Sequence, residues 1–115
     1  MFIYLLLLVN ILLMVAGQSL WKIGLDRAGG MQLHNMFQLL TSPLIITGIM
    51  LYGAATIVWL AILSRLPLSV AYPLQSLAYV LGMFVAYYLF HETIPFHRWV
   101  GICVIIIGVF IVSRP

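Results

Sequence analysis

Four long apolar runs follow one another in this chain, and most of its charges lie outside them. The first extends from Phe2 to Trp21, interrupted by Asn10, Gln18 and a few small residues. The second, Leu44 to Leu63, and the third, Leu68 to Phe90, carry no charge. The fourth extends from Phe96 to Val112 and is apolar beyond His97 and Arg98. About 20 apolar residues are needed for a helix to cross a hydrocarbon layer about 30 Å thick. The fourth run is shorter but sufficient with little tilt. In lipid every backbone amide must find its partner within the protein, so each run is predicted to be a helix. The fold class is therefore all-α, a four-transmembrane-helix membrane protein. A single domain is expected over residues 1–115, with helices over about 2–24, 44–64, 68–90 and 96–113.

Composition excludes several other classes. Of 115 residues, 65% are apolar and 6% are charged, against about 25% charged in a typical soluble domain. So few charges cannot keep such a chain in solution, which argues against a soluble enzyme or a disordered regulator. The net charge of +3 comes from five isolated basic residues rather than a patch, so no nucleic-acid partner is expected. Cys103 is the single cysteine, which excludes an intrachain disulfide and a cysteine-based metal site. The first run lacks a basic leading segment and exceeds the apolar core of a signal peptide, about 7–15 residues, so it is read as a retained helix.

The connections are Lys22–Pro43, Ser64–Pro67 and His91–Pro95. The last two are short, so the helices they join should run antiparallel. In the first connection, Leu33, Met36, Phe37 and Leu40 fall at helical spacing opposite Gln32, Asn35 and Gln38. This fits either a short interfacial helix or an early start of the second helix with a break at Ser42-Pro43, after the interruption at Gly29-Gly30. Lys22, Arg27 and Arg98 face one side; Arg65, Arg114 and the amino terminus face the other. With three positive charges on each side, the usual orientation bias is nearly absent. Two readings stand: orientation set by a partner or by insertion order, or insertion both ways with pairing as an antiparallel dimer.

Polar side chains inside an apolar span are costly and usually face protein or a cavity. On the first helix Asn10, Gln18 and Lys22 lie on an i+4 ladder, with Met14 filling the missing step. The third carries Tyr72, Gln75, Ser76 and Tyr79 at i, i+3, i+4 and i+7, and Pro73 should kink or loosen the helix beside Tyr72. Two polar stripes suggest a shared groove; the plainer alternative is that they bond helices to one another. Lys22, at a helix end, either snorkels to the interface or meets an anionic head group. Glu92 and Arg98 flank Pro95 and suit a local ion pair or a charged gate. Gly101 and Gly108 share one face of the fourth helix and suit a close helix–helix contact, within or between chains.

No Asp or Glu lies in any of the four spans; Asp26 and Glu92 are assigned to connections. A buried carboxylate for proton-coupled cation export is missing. His34, His91 and His97 read as loop residues without a ligand constellation, so no metal, cofactor or catalytic site is expected.

The four-helix layout, Val15-Ala16-Gly17-Gln18 with Lys22, Val70-Ala71-Tyr72-Pro73, His91-Glu92 and Gly101 through Gly108-Val109 resemble the drug/metabolite transporter superfamily. Within it, the chain is similar to small multidrug resistance proteins, and closer still to the small subunits that flip undecaprenyl-phosphate aminoarabinose. The resemblance implies a bacterial inner-membrane, multi-pass transporter that works by alternating access, usually as a dimer. Met14 stands where the multidrug exporters carry their proton-coupling glutamate, and Gln75 stands where they carry a tryptophan; both departures weigh against drug/proton antiport. Tyr72 matches a substrate-contacting tyrosine, and the Gly101–Gly108 face matches their dimer contact. The flippase-like subunits share the Gln18 and Lys22 pattern and the Tyr72-Pro73 pair. They imply a polyprenyl-phosphate-linked sugar as substrate and a homologous small subunit as partner; a homodimer, antiparallel or otherwise, is the alternative assembly.

The leading expectation is a flippase for a lipid-linked sugar phosphate. Lys22 would attract the phosphate, Gln18, Gln75 and Ser76 would hydrogen-bond the head group, and Tyr72 and Tyr79 would stack on the sugar. The rivals are an exporter of small cations or metabolites and an accessory assembly subunit of a membrane complex.

Overall fold

The computed structural model describes residues 2–114 and is helical almost throughout. The helices are α1 (Phe2–Ala28), α2 (Met36–Leu40), α3 (Pro43–Leu63), α4 (Leu68–Gln75), α5 (Leu77–Tyr88) and α6 (Phe96–Val112), with a 3-10 turn over Leu33–Asn35 ahead of α2. Three stretches are long and apolar enough to cross a membrane: Phe2–Ala28, Pro43–Leu63 and Leu68–Tyr88. The 17 residues of α6 are apolar as well and extend about 25 Å at 1.5 Å per residue.

α1 runs past the expected end near residue 24 because nothing breaks it before Gly29. Asp26 therefore lies on the helix, where Lys22 Nζ meets its carboxylate at 3.3 Å. Gly29 and Gly30 then take φ of 77° and 100°, and the Gly30 amide donates to the Leu25 carbonyl at 2.9 Å. That left-handed turn occupies the last helical carbonyls, as glycine is suited to do. Asn35 fastens the following segment: its Oδ1 accepts from the Gln32 amide at 2.8 Å and its Nδ2 donates to the Gly30 carbonyl at 3.1 Å. α2 is thus a separate short helix. Ser42 is extended and Pro43 opens α3 at the first-turn position, where a missing amide costs nothing.

α1 and α3 form the most extensive helix pair. Their backbones approach at glycine. A Cβ on Gly17 would lie 2.9 Å from the Gly48 carbonyl oxygen, and one on Gly48 would lie 2.5 Å from the Trp21 ring. Small residues allow such contact between membrane helices. Trp21 is held there: Nε1 donates to the Ile45 carbonyl at 3.2 Å, and the ring stacks on Tyr52 at 5.3 Å. Further along the pair, the Asn10 amide donates to the Ala55 carbonyl at 2.7 Å.

α4 and α5 continue one path with an interruption at Ser76. Pro73 is accommodated inside α4, and the interruption comes at Ser76, four residues beyond Tyr72, beside which the proline is expected to kink or loosen the helix. At Ser76 the backbone tightens, with Ser76 N–H donating to the Pro73 carbonyl at 3.0 Å and Tyr79 N–H to the Ser76 carbonyl at 2.9 Å. The Ser76 hydroxyl also donates to the Pro73 carbonyl. These i→i−3 bonds are the tighter 3-10 pattern. α6 closes the bundle: Val109 joins Leu7, Ile62, Ala71 and Leu74 in the main apolar cluster, and Trp99 packs against Phe84 and Tyr87 at 5.7 and 5.9 Å between ring centres. His97 belongs to the first turn of α6 rather than to a loop.

Candidate functional site

Three adjoining cavities that share walls lie along α1, two of them between α1, α3 and the α4–α5 path and one between α1, α5 and the start of α6. The middle one, about 210 Å³, is lined by Gln18, Tyr72, Gln75, Ser76 and Tyr79 together with Met14, Tyr52 and Ala78. The two polar stripes therefore face one another across a common space. Gln18, Ala78 and Tyr79 also line the second cavity, about 400 Å³, which continues past Ser19 to Lys22, Glu92 and Arg98. Met14, Tyr52, Tyr72 and Gln75 are shared with the third, about 240 Å³, which reaches Thr56, Trp59 and Leu68. The row follows α1 from Asn10 to Lys22, about 18 Å at 1.5 Å per residue. It starts beside the first residue of α4 and ends at the connection before α6.

The charge along this row is one-sided. Lys22, Glu92 and Arg98 all border the cavity at one end, whereas Asn10, Thr56, Tyr72 and Gln75 line the other as neutral groups. Among the described residues Lys22 is tied only to Asp26, and both side chains are about half exposed, at 52% and 54%. Exposed i,i+4 pairs contribute little, so Lys22 can leave its partner readily. Glu92 and Arg98 form no ion pair with each other among the described residues. Arg98 sits in the first turn of α6, Glu92 lies outside the preceding turn, and both are exposed, so water competes for each charge. What they share is the cavity wall.

Between the neutral end and the middle stands a polar junction. Asn10 is 1% exposed; besides its bond to Ala55, its Oδ1 accepts from Gln75 Nε2 at 3.2 Å, and the same nitrogen lies 3.5 Å from Met14 Sδ. Asn10 belongs to the ladder in sequence but is consumed by helix packing, while Gln18 remains exposed to the groove. No buried polar side-chain atom among the described residues is left without a partner. Tyr52 was not legible as a site residue. It stands in an uncharged run beside a single threonine at i+4, Thr56, whose hydroxyl donates to the Tyr52 carbonyl at 3.0 Å, and only the pairing of α1 with α3 brings it to the groove.

Gly101 and Gly108 face open space among the described residues. A Cβ at either would meet no atom within 4 Å, and the α6 residues around them, Val104, Ile107 and Ile111, are exposed. The close approach through glycine inside the chain is made by Gly17 and Gly48 instead.

Several apolar helices around a polar passage, open along its length and charged at one end, define a small multi-pass membrane transporter. The chain belongs to the EamA-like transporter family, whose model matches residues 1–114. It is 39% identical over 107 residues to the probable 4-amino-4-deoxy-L-arabinose-phosphoundecaprenol flippase subunit ArnE of Aeromonas salmonicida, covering 90% of both chains. It is 33% identical over 109 residues to the subunit of the same name from Pseudomonas fluorescens, covering 95% of both chains. With the Aeromonas hydrophila subunit, the match is 40% over 74 residues, 64% of this chain and 65% of the relative. No solved structure matches the chain.

Proposed function

We propose that this chain moves a polyprenyl-phosphate-linked sugar between the leaflets of a bacterial inner membrane, sheltering the polar head in the groove while the lipid tail stays in the bilayer. The observation that carries this reading is the continuity of the three cavities through Gln18, Tyr79, Tyr72 and Gln75. The relatives whose names specify a phosphoundecaprenol-linked amino sugar supply the substrate class.

Lys22 and Arg98 attract the phosphate at the charged end, with Glu92 beside them to balance or gate the entry. Gln18, Gln75 and Ser76 offer hydrogen bonds to sugar hydroxyls, and Tyr72 and Tyr79 offer ring faces. Alternating access follows if the path bends at Ser76 while α1 and α3 hold together at Gly17 and Gly48. The chain acts in a dimer with a homologous small subunit, using the open Gly101–Gly108 face of α6 as its contact.

The test is flipping of a labelled polyprenyl-phosphate sugar in proteoliposomes containing this chain and its paired subunit. Lys22→Ala is expected to abolish flipping while insertion and assembly persist. Unchanged flipping by that variant contradicts the head-group role.

A further inference from the structure

A further polar cavity, about 610 Å³, opens beside the last turn of α1, on residues none of which line the transport groove. It lies between the last turn of α1, the Leu33–Leu40 segment and the start of α3, and its polar lining is Arg27, His34, Asn35, Gln38 and Ser42. We propose that this cavity holds the phosphate head group of an anionic phospholipid from the surrounding leaflet.

The segment that closes the cavity is built for a lipid boundary. Leu33 and Phe37, one helical turn apart, are 89% and 80% exposed, and Met31 and Leu40 are exposed beside them. Four bulky apolar side chains left open belong in acyl chains rather than in water. The same segment turns His34 and Gln38 inward to the cavity, so it is amphipathic across the membrane boundary. Asn35 spends its side chain on Gln32 and Gly30 and fixes the segment in place.

The remaining polar groups are unspent. Arg27 forms no ion pair among the described residues, its neighbour Asp26 being engaged with Lys22. Ser42 makes no side-chain cap bond to α3, and Gln38 and His34 donate no side-chain hydrogen bond within the described chain. A guanidinium with neutral donors in one cleft suits a phosphate diester, since charge-assisted bonds to phosphate are the stronger kind. Gly24, Leu39 and Leu44 supply an apolar wall for the glycerol backbone. No residue of this cleft lines the transport cavities, so the site stands independently of the transport reading.

The experiment is native mass spectrometry of the detergent-purified full chain titrated with phosphatidylglycerol, with phosphatidylcholine and inorganic phosphate as separate arms. Phosphatidylglycerol should be retained, and Arg27→Gln should lower its affinity by about tenfold, the scale of one charge-assisted hydrogen bond. Arg27→Lys should restore part of the loss, and Arg65→Gln, which lies outside both the cleft and the groove, should bind as the parent does. Equal binding of phosphatidylcholine, full displacement by millimolar inorganic phosphate, unchanged binding by Arg27→Gln, or an equal loss of binding in Arg65→Gln each overturns the proposal.

Discussion

Gln75 donates from Nε2 to the Oδ1 of Asn10 at 3.2 Å, joining the residue before the α4–α5 break to a side chain buried in α1. Asn10 in turn holds Ala55 of α3, so one small network ties three helices at the neutral end of the groove. Asn10→Ala removes both bonds and leaves a void. Hydrogen bonds between membrane helices contribute about 0.6 kcal/mol on average and up to about 1.7, so a loss of about 1–2 kcal/mol is expected, read as a lower unfolding midpoint in detergent. Gln75→Ala should cost less, because the Asn10–Ala55 bond survives it.

Alanine at the two interfacial glycines should be far more damaging than at the open ones. Gly48→Ala pushes a methyl against the ring of Trp21, which cannot yield without losing Ile45 and Tyr52. Overpacking of this kind costs about 1–3 kcal/mol. Gly53→Ala and Gly82→Ala place their methyls in open space and should be neutral or gain up to about 1 kcal/mol from helix propensity. Thermal unfolding of Gly17→Ala and Gly48→Ala beside Gly53→Ala and Gly82→Ala separates the two groups.

His91, three residues beyond the end of α5, has φ of 54°, while the Glu92 amide reaches back to the Ala86 carbonyl at 3.0 Å. Glycine is the residue this turn favours, and the left-handed conformation costs other residues about 1–2 kcal/mol. Part of that is offset by the greater unfolded-state freedom of glycine. His91→Gly should therefore raise the unfolding midpoint modestly, by about 0.5–1 kcal/mol in stability.

Asp26→Asn breaks the one ion pair among the described residues. Stability should change by less than about 0.5 kcal/mol, as exposed helix pairs do. Lys22 is then released toward the groove, so apparent affinity for the lipid-linked sugar should rise in the flipping assay.

Large parts of this arrangement are legible without coordinates, for physical reasons that differ from part to part. Run length alone demands the helices, because lipid offers the backbone no other partner. The stripe from Tyr72 to Tyr79 is visible because it stays within one turn-to-turn register, and the α4–α5 interruption at Ser76 bends it without separating its members. The Gly17–Gly48 approach is not visible, since it depends on which helices pair and at what offset. Tyr52 is hidden for the same reason. Glu92 and Arg98 are close in sequence and share a cavity wall, yet exposure to water leaves them unpaired, which spacing cannot foretell. Asn10 looks like one more rung of a ladder until the Ala55 carbonyl of α3 accepts its hydrogen bond.

The central claim is that the polar head of the substrate travels inside the groove from Lys22 toward Tyr72. A photoreactive amino acid placed at Tyr79 or Tyr72, and at the exposed control positions Ile57 and Phe110 outside the groove, tests it with a polyprenyl-phosphate sugar labelled on the sugar. The account predicts sugar-bearing adducts at both groove positions and none at the controls. Adducts at Ile57 and Phe110 as abundant as those at Tyr79, or no adduct at either groove position during active flipping, would contradict it.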